Sequence, residues 1–356
     1  MPKYLPHLSA LNQAIRVFMG QKIQHNHRVD AQWAGQRLDQ IAVALLHDYS
    51  RGRIQQWIKS GELTVDGRSA KAKEKLHGGE YLSLSTVIPE DSRWEPQPIG
   101  IDVIYLDEHI IVLNKPAGLV VHPGAGTADG TLLNGLLYHY PELADIPRAG
   151  IVHRLDKDTT GLMVVARSLL AHTHLIQQLQ ARTVGREYEA ITLGEMTVGG
   201  VINKPIGRHP TQRVKMAVLA QPPQRELNDT DTPPRPVSGK EAITHYRLLR
   251  RFKGYSYIAC RLETGRTHQI RVHMTHLKFP LVGDRVYQGR QRWAAGTYGL
   301  LQQTIADFPR QALHARRLSL IHPKTQAPMH WETPLPEDMQ LLLEQLKIHT
   351  KQAMEE

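Results

Sequence analysis

Apolar side chains fall into short runs of two different spacings, which predicts a mixed α and β chain. Leu38, Ile41, Ala42, Leu45 and Leu46 recur at helical spacing. Ser50 is placed to cap a second helix with Ile54, Trp57 and Ile58 on one face, and Gly61 sits where that helix would stop. Leu63 and Val65 lead into the turn pair Asp66-Gly67, and Tyr81, Leu82 and Leu84 read as a returning strand. Before this module, residues 1–34 are weakly patterned and read as an N-terminal extension, with Met19 as an alternative start. The module spans residues 35–90, and the proline-bearing run 91–100 reads as a linker.

Beyond the linker, residues 101–349 form a second, larger domain. Ile101, Val103 and Tyr105 alternate as in a strand, and residues 110–113 form another, ending at Lys115-Pro116. Leucines at helical spacing mark residues 131–140, and residues 162–166 are a continuous apolar run that reads as a buried strand. Residues 168–182 read as a helix, and Tyr188, Ala190 and Thr192 alternate along a strand. Strands then follow at 214–219, 242–249, 255–262 and 313–321, with helices at 267–277 and 336–349. The order lacks a repeating βαβ rhythm, so the expectation is an α+β domain on a mostly antiparallel mixed sheet. Residues 220–241 are rich in Pro, Asp and Thr and read as an exposed loop, and residues 350–356 as a tail.

Charge adds a partner. The 356 residues carry a formal net charge of +10, which favours a polyanion through long-range attraction and counterion release. Arg37, Arg51, Arg53, Lys59, Lys71, Lys73 and Lys75 scatter over the two-helix module. Cys260 is the single cysteine, so no disulfide can form within the chain, and a reducing, cytoplasmic setting is expected. No apolar run is long enough to span a bilayer, and the first residues lack the pattern of a secretory signal.

Chemistry concentrates in Ile151-Val152-His153-Arg154-Leu155-Asp156-Lys157-Asp158-Thr159-Thr160-Gly161, where an apolar approach runs into a charged turn. The residues alone fit an acid pair, a magnesium site or a solvated turn. A resemblance separates these readings. His153-Arg154-Leu155-Asp156 followed by Lys157-Asp158-Thr159-Thr160-Gly161-Leu162 resembles the active-site signature of the RNA pseudouridine synthases that modify ribosomal and transfer RNA in bacteria. Further segments are similar in the same order: residues 107–116, Arg186-Glu187-Tyr188, residues 263–273 and Leu313-His314-Ala315. The N-terminal module resembles the S4 RNA-binding domain, so the likeness runs from about residue 19 to about residue 345.

The resemblance implies isomerisation of uridine to pseudouridine in structured RNA, with no cofactor and with base flipping. Asp156 maps to the family nucleophile, Arg271 to the arginine paired with it, and Tyr188 to a residue lying against the flipped base and able to help remove the C5 proton. Arg154 resembles the arginine that fills the gap left by the extruded base. His153, Ile270 and Leu313 are further substrate-binding candidates, and Arg37, Arg51, Arg53, Lys59 and Arg266 are RNA-binding candidates. Members acting on the large ribosomal subunit are the nearest likeness, which implies the helix 69 loop of 23S ribosomal RNA, met by a monomer. Other ribosomal or transfer RNA sites, or a non-catalytic S4-type binder, are the alternatives. An aspartyl-phosphate enzyme is disfavoured because Thr and Gly do not directly follow Lys157. His268, His273 and His276 cluster on one predicted helix, but no cysteine or carboxylate joins them at ligand spacing, so no metal is expected.

Overall fold

The computed structural model describes residues 21–46, 49, 51–88, 94–124, 126–212, 214–219, 239–290 and 292–355. The first 20 residues, the predicted cap Ser50, the Arg51 side chain and most of the predicted loop at 220–241 lie outside the described residues. The chain divides between Trp94 and Glu95 into two compact units.

In the first unit, helices Leu38–Leu45 and Arg51–Ser60 pack on an antiparallel sheet of β1 (Gln21–Arg28), β2 (Leu63–Val65) and β3 (Tyr81–Ile88), in the order β1-β3-β2. Leu38, Ile41, Ile54, Trp57, Ile58, Leu63, Val65, Leu82 and Leu84 all enter one buried cluster, as their spacing predicts. Asp66 and Gly67 adopt φ of 48° and 75°, the left-handed pair that a tight hairpin requires. That hairpin closes only on Arg68, however, and β3 starts 13 residues later. β1 lies within the stretch read as an N-terminal extension. Its sequence, QKIQHNHR, has one apolar residue, Ile23, so alternation gave no signal, yet the strand runs the full length of β3.

The second unit is built on one large sheet. Its strands are β4 (Val103–Leu106), β5 (Ile110–Lys115), β6 (Thr160–Ala166), β7 (Gly185–Leu193), β8 (Gly200–Asn203), β11 (Ile243–Phe252), β12 (Tyr255–Leu262), β13 (Leu313–Ile321) and β14 (Pro328–Glu332). The order is β4-β5-β6-β13-β7-β12-β11-β8, with β14 added to the far half of β13. Every pairing is antiparallel except β6 with β13. β9 (Ile206–Arg208) and β10 (Met216–Val218) form a separate hairpin. The predicted strands at 255–262 and 313–321 appear with those bounds, while β8, β14 and helix Gly299–Asp307 are additions. Helix Leu169–Gln180 packs beside β6 in one apolar cluster, and helices Gly299–Asp307 and Glu337–Glu355 share another with Phe252 and Tyr255.

The parallel contact of β6 with β13 depends on one residue. Gly161 has φ of 113°, and a Cβ there would lie 2.3 Å from the Ala315 carbonyl oxygen. Only glycine lets the turn carrying Asp156 run into β6 this close to β13.

Candidate active site

Asp156 lies in a turn closed by the Thr159 N–H donating to the Asp156 carbonyl. Three side chains from other elements hold that turn. Lys115, at the end of β5, donates through Nζ to the Lys157 carbonyl at 2.8 Å and to the carbonyls of Pro116 and Leu119. Arg310 donates through Nη1 to the Asp158 carbonyl at 3.2 Å, while its Nε and Nη2 grip Asp338 at 2.7 and 2.8 Å. Gln311 donates to Thr159 Oγ1. Lys115 is fully buried, and burial pushes its pKa down to about 8, against the opposing pull of Asp158 and Asp156. Asp156 is the carboxylate that lines the cleft, whereas Asp158 meets the turn's supports through its backbone carbonyl.

Asp156 meets Arg271, whose Nη1 donates to Asp156 Oδ2 at 3.0 Å. Arg271 stands on helix Gln269–His276 and is almost wholly buried. Its other edge is clamped by Asp284, with Nε and Nη2 donating to the two carboxylate oxygens at 2.7 and 2.9 Å. Asp284 Oδ1 also accepts from the Val286 and Tyr287 N–H groups. Burial opposes the Arg271 charge, but the Asp284 hydrogen bonds and charge, followed by Asp156, hold its pKa above the ordinary value. The guanidinium is thus fixed with one N–H pair facing Asp156, and it lies 5.1 Å from the centre of the Tyr287 ring.

His268 opens the helix in the left-handed conformation, with Nε2 at 3.9 Å from Asp156 Oδ1. Its Nδ1 bonds the Tyr287 hydroxyl, which also accepts from the Met216 N–H. Burial lowers the His268 pKa, against the opposing pull of Asp156. The segment before the helix is pinned by Gln269. Its Oε1 accepts from Thr264 Oγ1 and the Arg266 N–H, and its Nε2 donates to the Ile243 carbonyl and Thr244 Oγ1.

Asp156 and Arg271 open onto a cleft of about 970 Å³, within the range of small-ligand pockets. The cleft also receives Tyr188, Ile270, Leu313, His153, Arg154 and Arg266. Tyr188 projects from β7 and is buried; burial raises its pKa, Arg186 opposes the rise and Asp156 adds to it. Ile270 and Leu313 are buried apolar wall residues, and Arg154 is exposed. His153 Nε2 accepts from the Val164 N–H on β6, and burial followed by Arg186 pushes its pKa down to about 3. An acceptor nitrogen cannot carry the proton, so His153 is a neutral brace between the turn and β6. Arg266 donates through Nε to the Glu241 carbonyl.

Of the predicted RNA-binding residues in the first unit, Arg53 and Lys59 lie on the exposed side of their helix. Arg37 is tied to the buried Asp39 through Nε and Nη2 at 3.0 and 2.8 Å. The predicted histidine cluster is dispersed: His273 bonds Thr244 Oγ1 and the Lys204 carbonyl, while His268 faces Asp156. Lys115, Gln269, Asp284, Tyr287, Arg310 and Gln311 have site roles that sequence reading had not assigned. Lys115 does stand in the family-like segment 107–116 and Gln269 in 263–273, and Asp284 ends a further family-like phrase, Leu281-Val282-Gly283-Asp284.

Comparison with known proteins agrees with this geometry. Residues 109–276 match the RNA pseudouridylate synthase family, and residues 36–80 match the S4 domain. The ribosomal large subunit pseudouridine synthase D of Pseudomonas aeruginosa is 53% identical over 329 residues, covering 92% of this chain and 98% of that protein. The proteins of the same name from Yersinia pestis and Escherichia coli (strain K12) are 50% and 49% identical, each across more than nine-tenths of both chains. The solved human RNA pseudouridylate synthase domain containing 4 superposes with a TM-score of 0.53 at 26% identity, covering 69% of this chain and 93% of that one. With its S4 module, its catalytic-domain sheet and near-full-length identity to these enzymes, the chain belongs to the RNA pseudouridine synthase family.

Proposed function

We propose that the chain isomerises uridines of 23S ribosomal RNA, those of the helix 69 loop, with Asp156 as nucleophile. The observation that carries this reading is the Asp156–Arg271–Asp284 array. A carboxylate at the mouth of a large cleft, with 18% of its side chain exposed, is paired on one side and open on the other. Arg271 holds the carboxylate in place, and the buried Asp284 holds Arg271.

Isomerisation needs no electron donor and no group donor, so side chains suffice. Asp156 assists departure of the base from the sugar carbon, and the uracil turns within the cleft before C5 bonds that carbon. Tyr188 lies against the flipped ring, and its hydroxyl assists loss of the C5 proton. Ile270 and Leu313 wall the ring, while Arg154 enters the space the base has left. Arg37, Arg51, Arg53, Lys59 and Arg266 contact the RNA backbone, and the enzyme acts as a cytoplasmic monomer. The ribosomal target is supported by the name of relatives about half identical to this chain, ribosomal large subunit pseudouridine synthase D.

The test is deletion of the gene, followed by mapping pseudouridines across total RNA by carbodiimide-dependent reverse-transcription stops. Loss of the helix 69 signals, restored by the wild-type gene, is the expected outcome. Survival of those signals with loss of others reassigns the target.

A further inference from the structure

Arg186 lies two residues before Tyr188 on β7, so both side chains leave the same face of the strand and enter the same cleft. It is 7% exposed, as deeply buried as Arg271, but its surroundings differ. Arg271 has two carboxylates. Arg186 has one long hydrogen bond, from Nη2 to the Glu263 carbonyl at 3.3 Å, and its buried Nε has no partner. No carboxylate among the described residues pairs with it. The nearby Glu263 carboxylate is engaged instead by His245 and Arg182.

The guanidinium packs closely against a glycine: a Cβ at Gly265 would lie 2.8 Å from Arg186 Nη1, so a larger residue there would displace the end of the Arg186 side chain. Its field reaches the two groups that flank the site, depressing the pKa of His153 and opposing the rise at Tyr188. Leaving a buried cation without a counter-charge costs several kcal/mol, and that cost is offset only when negative charge arrives.

We propose that Arg186 is a catalytic residue that binds the departing uracil as an anion, donating hydrogen bonds to the carbonyl oxygens on which its charge collects. When the C1′–N1 bond breaks, its electron pair stays with the base. The ring then carries one negative charge, shared among N1 and the two carbonyl oxygens. The charge is consumed when C5 bonds C1′, and the C5 proton is finally replaced by one on N1. The balance is the same whether Asp156 traps the sugar carbon or assists an elimination. A guanidinium beside the ring that stacks on Tyr188 stabilises the charge where it develops, which is a larger effect than uniform binding of the substrate. The inference rests on the proposed reading of this cleft as the uridine site.

The experiment compares wild type, Arg186→Met and Arg186→Lys in single-turnover reactions on a ribosomal RNA stem-loop containing uridine or 5-fluorouridine, following loss of the C1′–N1 bond in both, since the 5-fluoro ring has no C5 proton to release. Binding of each RNA is measured separately. The electron-withdrawing fluorine makes the ring a better leaving group, so it depends less on the protein for charge stabilisation. Arg186→Met is expected to slow uridine turnover by about 10²- to 10³-fold. The loss should be at least tenfold smaller on 5-fluorouridine, RNA affinity should stay within about threefold, and Arg186→Lys should recover part of the rate. Equal losses on both substrates overturn the proposal. Weakened binding with an unchanged rate also overturns it and makes Arg186 a phosphate contact. If Arg186→Met does not fold, the same comparison is decided on Arg186→Lys. A wild-type protein inactive on uridine defeats the reading of the cleft itself, whereas an active wild type with the wrong Arg186 pattern defeats only this inference.

Discussion

Removing Asp284 separates support of the site from its chemistry. Asp284 is 1% exposed and makes two charged hydrogen bonds to Arg271 while accepting two backbone N–H groups. In Asp284→Ala all four bonds vanish, and Arg271 stays buried with only Asp156 as a counter-charge. Breaking a buried pair from one side costs about 3–5 kcal/mol, because the abandoned charge remains desolvated. Asp156→Ala removes a single charged hydrogen bond from a carboxylate already part-exposed, so its stability cost should be smaller, about 1–3 kcal/mol. The functional effects point elsewhere. Arg271 released from Asp284 can turn towards Asp156, and a displacement on the order of 1 Å costs about 10²-fold in rate. Urea denaturation of the full chain gives the stability difference, and single-turnover pseudouridine formation gives the rate. Asp284→Asn should lie between, since it keeps the acceptor for the backbone N–H groups but loses the charge. A stability within about 1 kcal/mol of wild type, together with an unchanged rate in Asp284→Ala, would refute the role assigned to this clamp.

Lys115 makes a pH-dependent prediction. Its folded pKa of about 8 lies below the ordinary 10.5, so between those values the unfolded chain binds more protons and stability rises with pH. The stability of wild type relative to Lys115→Gln should therefore increase from pH 8 to 10.5, by up to about 3 kcal/mol; urea melts showing a constant difference would contradict this. Tyr188→Phe keeps the ring but removes the hydroxyl, and should retain RNA binding while losing about 10²-fold or more in single-turnover rate. An undiminished rate would confine Tyr188 to stacking. Gly161→Ala forces a methyl group against the Ala315 carbonyl at a φ of 113°, so it should cost several kcal/mol in denaturation or prevent folding. A loss below about 1 kcal/mol would mean that β6 and β13 can separate freely.

The predicted helices and most strands of the larger domain were readable because their apolar residues keep one period and one buried face, as in β6 and the cluster behind it. β1 was not, since seven of its eight residues are polar. β8 was missed because GVIN is short and largely exposed at the sheet edge. The site showed the same division. Asp156, Tyr188 and Arg271 stood in motifs, and the structure brings them to one cleft. Their supports lie 41 residues before and 154 residues after Asp156 at Lys115 and Arg310, distances that no periodicity can bridge. Asp284 stood in a family-like phrase beyond the arginine motif, but nothing in the phrase says that its carboxylate clamps Arg271. Burial, which sequence does not print, turned these residues from surface charges into braces.

The most direct measurement is single-turnover conversion of uridine in a helix 69 stem-loop by purified wild type and by Asp156→Ala, with RNA affinity and unfolding midpoint measured in parallel. The account predicts no pseudouridine above background from Asp156→Ala, with affinity and fold retained. Pseudouridine formed by Asp156→Ala within about tenfold of the wild-type rate would contradict it.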